Sequence, residues 1–236
     1  MNKNALKKRW IPVLAAAVVL EAAVLFLLKP WQKKATPAGV NLIAETDFSR
    51  LQNGDSAWYE DAYVHSEAYT VFSFDEGREG GVSGHIENRI ANDARFATDV
   101  AVEPDSLYCL SGWIKASCRE GMGANLSVAG VYAFSEPLYD TEGEWRQVSF
   151  YGRTGADQHF VTVFARLGGY SGEAEGEAWF DGISLTRLDA LPEGARAASW
   201  FTENSQSGEA GQEQTALGKG PFLRSEEHTS ELQSRE

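Results

Sequence analysis

The sequence predicts an all-β fold, a two-sheet antiparallel jelly-roll sandwich preceded by one N-terminal transmembrane helix. Three observations carry this expectation. An apolar run, WIPVLAAAVVLEAAVLFLL at 10–28, has basic residues on both sides. Beyond residue 40, short segments rich in β-branched and aromatic residues recur at short intervals, separated by Gly, Asp, Asn and Ser, which is the pattern of a sandwich or barrel. No window of helical length in that region carries a clean 3.6-residue apolar stripe.

The apolar run comes first. About 19 residues at 1.5 Å each span roughly 28 Å, close to the hydrocarbon thickness of a bilayer. A secretory signal core is shorter, about 7–15 residues, and a small-residue cleavage site follows it. Here KPWQKK follows at once, so an uncleaved anchor in contact with membrane lipid is expected. Glu21 interrupts the span. A central acid costs about 2.5–3.5 kcal/mol while each Leu, Ile, Val or Phe returns about 0.3–0.6 kcal/mol, so the surrounding apolar residues still favour insertion. Glu21 either faces lipid in its protonated form or faces a partner helix. Lys3, Lys7, Lys8 and Arg9 precede the span and Lys29, Lys33 and Lys34 follow it. The small excess before it places the N-terminus in the cytoplasm and the remainder outside. Residues 1–9 then form a basic cytoplasmic tail, and 29–40 a polar linker with Pro37 and Gly39.

The sandwich is expected over 41–188. Its strands are AWYEDAYV, AYTVFSF, GHIENRIA, ARFATDVAV, LYCLSGWIKA, ANLSVAGVYAF, EWRQVSFYGRT, FVTVFARL and EAWFDGISLTRL, in that order. In ARFATDVAV, Phe96, Val100 and Val102 fall on one face and Arg95 and Asp99 on the other. FVTVFARL is apolar at nearly every position, as a central strand covered on both sides should be. EGREGGVSG, REGMG, YDTEGE and GGYSGEAEGE read as turns. Trp113 has the opposite parity to Leu110 and Ile114 and so points away from the core. Cys109 and Cys118 stand nine steps apart on one strand, about 30 Å at roughly 3.3 Å per residue. A disulfide needs Cα atoms within about 7 Å, so these two are not expected to bridge, and their opposite parity places them on opposite faces.

Beyond Leu188, DALPEGARAASWFTENSQSGEAGQEQTALGKG is polar and poor in apolar residues, which predicts a flexible linker over 189–223. Trp200 and Phe201 within it are candidates to dock on the sandwich or on membrane headgroups. The closing RSEEHTSELQS is of another kind. Back-translated, it resembles a common sequencing-library adapter read in frame, so 224–236 is set aside from fold reasoning and a gene that continues is expected. The net charge of −13 repels phosphate backbones and argues against a nucleic-acid partner.

Four stretches then carry a resemblance. NLIAETDFS at Asn41–Ser49, LYCLSGWIKA at Leu107–Ala116, EWRQVSFYGRT at Glu144–Thr154 and EAWFDGISL at Glu177–Leu185 occur in this order. Together they resemble the carbohydrate-binding, galactose-binding-like jelly rolls appended to glycoside hydrolases, over roughly Asn41–Leu188. The whole layout, with NDARFATDVAVEPDSLYCLSG and YGRTGADQHFVTVFARLGGYSGEA, is similar to bacterial membrane glycosyltransferases of the dolichyl-phosphate-mannose protein mannosyltransferase type. Some of these carry such a module just after their first membrane helix. The resemblance implies a glycan or cell-wall polysaccharide as partner and a catalytic part beyond the adapter junction. It also implies a structural calcium between the first and last strands, with oxygens from acids near Asp47 and Asp181. This chain departs from that pattern where Ser49 follows the Phe in place of an acid and where Gly182 replaces a second Asp. Each departure removes a carboxylate ligand.

No strong catalytic constellation is present. His65, His85 and His159 are isolated in the sequence, and neither H-E-x-x-H nor G-x-S-x-G occurs. Sugar binding needs aromatic faces for the apolar side of a pyranose ring and a few placed polar groups for its hydroxyls. Trp58, Tyr63, Trp113, Tyr132 and Tyr170 are the candidates for stacking, and each would equally serve as core or inter-sheet packing. Arg95 and Arg166 lie within strands, where an inward guanidinium needs a partner. Each either bonds a glycan in two places or pairs with Asp93 or Glu87 as a structural bridge. Two functions from different classes follow. The first is a non-catalytic, extracytoplasmic carbohydrate-binding module tethered to the membrane at the front of a larger glycosyltransferase. The alternative is a structural or protein-interaction sandwich of a single-anchor surface protein. Two or more solvent-facing aromatics beside Arg95 or Arg166 favour the first, and a face filled by packed aliphatic residues favours the second.

Overall fold

The computed structural model describes residues 38–170 and 172–201. The anchor over 10–28, the tail before it, most of the 29–40 linker, and everything from 202 to the adapter-like 224–236 lie outside the described residues. Among the described residues no helix is long and apolar enough to cross a membrane.

One helical turn, α1 (Ser49–Gln52), precedes ten strands: β1 (Tyr59–Ala62), β2 (Thr70–Glu76), β3 (Val82–Asn92), β4 (Ala94–Ala101), β5 (Leu107–Arg119), β6 (Ala124–Val128), β7 (Arg146–Arg153), β8 (Phe160–Leu167), β9 (Ala174–Leu188) and β10 (Ala198–Ser199). They make a four-stranded sheet in the order β1-β4-β8-β6 and a six-stranded sheet in the order β10-β7-β5-β9-β3-β2. From β4 to β9 the chain changes sheet at every strand, which is the winding of a jelly roll. All nine expected strands are present.

Period-two alternation fixes which side chains lie between the sheets. Along β5, Leu110, Ile114, Ala116 and Cys118 are buried, while Cys109, Trp113 and Lys115 alternate with them on the outer face. Both cysteines are free. Burial pushes the Cys118 thiol up to about 11 from its ordinary 9.0. At one end of the core, Phe48 packs on Trp58 and Phe96 with ring centroids 5.3 and 4.9 Å apart. Gly84 makes this possible, since a Cβ there would sit 2.7 Å from Phe96 and 3.0 Å from Phe48. Asn41 ties the entry of the chain to its last long strand: its Oδ1 accepts the N–H of Ile43 at 3.0 Å and of Leu185 at 2.9 Å.

The structure corrects three expectations. The sheets are not wholly antiparallel, because β10 pairs with β7 in parallel, Ala198 opposite Gly152. The described chain beyond Leu188 is also not all linker, because Trp200 takes the first of the two places expected for it, on the sandwich. Trp200 is 1% exposed and lies within the core cluster, its ring 5.4 Å from Phe150 and 6.3 Å from Tyr108, and its N–H donates to Arg153 O at 2.9 Å. One large aromatic buries enough area to dock a segment whose average composition reads as a linker. Finally, β9 begins at Ala174, inside the acidic Gly-rich stretch expected to be a turn. There Asn92 on one side and Arg119 on the other supply strand partners to Ala174 and Glu175.

Candidate functional site

The outer face of the four-stranded sheet gathers most of the candidate residues. Core-facing Phe96, Ala165 and Leu126 force their neighbours outward, so the strands present two transverse rows. Tyr59, Ala97, Phe164 and Ser127 stand opposite one another in register, and Asp61, Arg95, Arg166 and Asn125 form the next row. Thr162 Oγ1 donates to Asp99 Oδ1 at 2.6 Å in the row beyond.

Charge in the second row is paired. Arg166 is only 2% exposed, and its Nε donates to Asp93 Oδ1 at 2.6 Å while a terminal nitrogen donates to Asp93 Oδ2. Arg95 donates to the same Asp93 Oδ2 at 3.3 Å and to Asp61, and His65 Nε2 stands 3.5 Å from Asp61 Oδ1. Asp93 rather than Glu87 is therefore the partner of both arginines; Glu87 pairs with Arg89 at 3.0 Å. The bidentate fork is the strong form of this contact. Of the two readings open to Arg166, the structural bridge to Asp93 is the one observed, and so enclosed a guanidinium has almost no surface left for a ligand.

The aromatics divide sharply. Tyr132 is 83% exposed, and its ring lies 4.8 Å from that of Tyr170 at 44°. The other neighbour of Tyr170 is Arg166, whose guanidinium carbon lies 4.4 Å from the ring centroid. The Tyr170 hydroxyl accepts the N–H of Gly130 at 3.0 Å, which holds the loop that carries Tyr132. Tyr63 is 71% exposed, and its N–H donates to Asp93 O at 2.8 Å at the end of the same face. Tyr59 is exposed on the first row, where burial, then Asp99 and Asp61, push its phenol up. Trp58 is the clear miss. It is 3% exposed, packs on Phe48 and donates its Nε1–H to Glu45 O at 3.1 Å, so no face is left for a sugar.

Three buried polar atoms on these rows have no hydrogen-bond partner: Arg95 Nε, Asn125 Oδ1 and Ser127 Oγ.

The outer face of the six-stranded sheet carries Trp113 and, unforeseen in the sequence, Trp145, Trp179 and His85. His85, Trp179 and Lys115 stand opposite one another on β3, β9 and β5. His85 stacks on Trp179 at 4.4 Å and 7°, and Lys115 Nζ lies 4.3 Å from the same ring. Trp179 also donates its Nε1–H to Asp75 at 2.6 Å. Trp113 is capped by the Arg78 guanidinium at 4.0 Å. These rings are engaged by their own neighbours, as cross-strand pairs on a sheet commonly are. Parity alone could have placed Trp179 outward, since Ala178 and Phe180 beside it face the core.

Asp47 and Asp181 flank the Gly77–Gly81 turn. Asp47 Oδ1 accepts the Ser49 N–H at 3.2 Å and its hydroxyl at 2.7 Å. Asp181 accepts the N–H groups of Arg78 and Gly182, each at 2.7 Å. Among the described residues no group of three or more His, Cys, Asp or Glu stands together to hold a metal. Both acids thus serve as acceptors for the backbone around them: Asp47 for Ser49, and Asp181 for Arg78 and Gly182.

No family model matches the chain, and no curated protein matches it. Solved structures do. The enzymatically active domain of tailspike protein 4 from bacteriophage CBA120 has a TM-score of 0.46 at 9% identity, over 63% of this chain and 22% of its own. TmCBM61, solved in complex with β-1,4-galactotriose, has a TM-score of 0.44 at 14% identity, over 64% of this chain and 100% of its own. The CBM22-1–GH10 modules of Clostridium thermocellum xylanase 10B, complexed with xylohexaose, have a TM-score of 0.41 at 16% identity, over 66% of this chain and 30% of their own. Carbohydrate-binding modules thus recur among the solved structures to which this chain is similar.

Proposed function

We propose that the chain is a non-catalytic glycan-binding module whose ligand lies on the outer face of the four-stranded sheet. One observation carries the reading: Tyr132, 83% exposed, stands against the half-buried Tyr170, which Arg166 and the Gly130 N–H hold on its ring and its hydroxyl. A pyranose presents an apolar C–H face that the open ring of Tyr132 can cover. Asp99 and Thr162, on the same face, are polar groups placed for its hydroxyls. The alternative, a face of packed aliphatic residues for a protein partner, finds no support in the residues of these rows. The apolar run at 10–28 and the resemblance to membrane glycosyltransferases support a further reading, in which the module is held at the membrane and keeps an acceptor glycan near an active site at raised effective concentration.

The test is isothermal titration of the full 236-residue chain, in detergent micelles, with xylohexaose, β-1,4-galactotriose and cellotriose. Binding of at least one is expected, and Tyr132→Ala should weaken it at least about tenfold, equivalent to about 1.4 kcal/mol. Equal binding by the variant would assign the ligand to another surface.

A further inference from the structure

We infer that Asp93, which touches no solvent-facing ring, is the positioning residue of the tyrosine pair. The inference rests on the glycan-binding reading for its purpose and on geometry alone for its mechanism. Asp93 lies between β3 and β4, at the junction where the chain passes from one sheet to the other. Both its oxygens are engaged. Oδ1 accepts from Arg166 Nε at 2.6 Å, and Oδ2 accepts from Arg166 and, at 3.3 Å, from Arg95. A two-point fork fixes the plane of the Arg166 guanidinium, which a single bond would leave free to rotate.

That plane is what Tyr170 meets, 4.4 Å from its ring centroid. A cation over an aromatic face is favoured, more so when both are shielded from water. Tyr170 follows the φ +100 residue Gly168 by two positions, so β8 itself does not fix its side chain. The contacts do. Its hydroxyl then takes the Gly130 N–H at 3.0 Å and its ring takes Tyr132 at 4.8 Å. The chain of contacts runs from Asp93 through Arg166 and Tyr170 to Gly130 and Tyr132, joining the β3–β4 junction to the loop after β6. Tyr132 has no other ring partner among the described residues, so the orientation of an 83% exposed side chain depends on a carboxylate three contacts away. Ordering the pair before a ligand arrives lowers the entropy lost on binding.

The experiment reads amide hydrogen exchange at Gly130 in the ligand-free full chain, then affinity for xylohexaose. Tyr170→Phe, which keeps the ring and removes the acceptor, sets the rate for a released loop. Asp93→Asn and Arg166→Lys should each accelerate Gly130 exchange by at least about fivefold through local opening, and weaken xylohexaose binding at least about fivefold. Val148→Ala, a buried position on β7 in the other sheet, destabilises the sandwich without touching the contacts and should leave the Gly130 rate within about twofold. A Gly130 rate in Arg166→Lys or Asp93→Asn equal to that of Val148→Ala overturns the inference, whether or not any sugar binds. If Asp93→Asn does not fold, Arg166→Lys decides by the same comparison. Accelerated exchange in chains that bind no oligosaccharide would uphold the positioning role and remove only the glycan reading.

Discussion

Arg166 shows how a single residue links stability to the candidate site. Its charge is almost wholly enclosed, with Asp93 as its carboxylate partner. Removing one member of a buried pair leaves the other uncompensated, so Asp93→Ala should cost about 3–5 kcal/mol in urea denaturation. Asp61→Ala should cost under about 1 kcal/mol, because the Arg95–Asp61 pair is part-exposed and screened. A second residue-scale effect concerns alkali. Burial raises the Cys118 thiol to about 11 in the folded state from an ordinary 9.0. The folded chain therefore holds this proton more tightly than the unfolded one. Its contribution is fully present below about pH 9 and is lost as pH rises toward 11. Cys109 and Tyr108, also raised chiefly by burial, act in the same direction. The denaturation midpoint should fall with pH across that window, and Cys118→Ala should fall less steeply; parallel slopes would contradict this account.

Among the elements, β10 is the smallest and carries the most consequence for its length. Two residues pair with β7, and the next one, Trp200, fills the space over Gly152. A Cβ at position 152 would fall inside the indole. Trp200→Ala should cost about 3–5 kcal/mol, and Gly152→Ala about 1–3 kcal/mol through overpacking. Because the two sites touch, the double variant should be less unstable than the sum of the singles. Additive losses would show that the indole does not occupy this place in solution. The first nine strands were legible from β-branched and aromatic runs bounded by turn residues, most clearly in β5, where inward residues alternate from Tyr108 to Cys118. The bulge that shifts the inward parity of β9 between Phe180 and Ile183 was not legible. β10 was not, because a two-residue strand leaves no periodicity and its anchor sits in a polar window. The start of β9 was hidden for a related reason: Gly172, Glu173, Glu175 and Gly176 read as a turn, while the partners that make Ala174–Glu177 a strand lie far away in sequence.

At the scale of the whole molecule, the two outer faces carry similar residue types and differ in what those residues already touch. On the six-stranded sheet the indoles meet Arg78, His85 and Lys115. On the four-stranded sheet the arginines are neutralised by aspartates, Tyr170 is held by Arg166 and Gly130, and Tyr59, Tyr63 and Tyr132 are exposed. Sequence parity could place Trp113 outward and could bring Arg95 to the face opposite Phe96. It could not show that Tyr170 meets both Arg166 and Tyr132, or that the Tyr63 N–H meets Asp93 O. Those placements depend on β1, β6 and β8 lying in one sheet, which is a matter of topology. Trp58 failed for the same reason, since only the fold shows Phe48 closing over it.

The most direct measurement is a map of amide and side-chain chemical shifts in the full chain during titration with xylohexaose. Shifts are expected at Gly130, Tyr132, Thr162 and Tyr170, with the Trp113, Trp145 and Trp179 indole signals unmoved. Shifts centred on those three indoles, with the tyrosine face silent, would contradict the account and transfer the site to the six-stranded sheet.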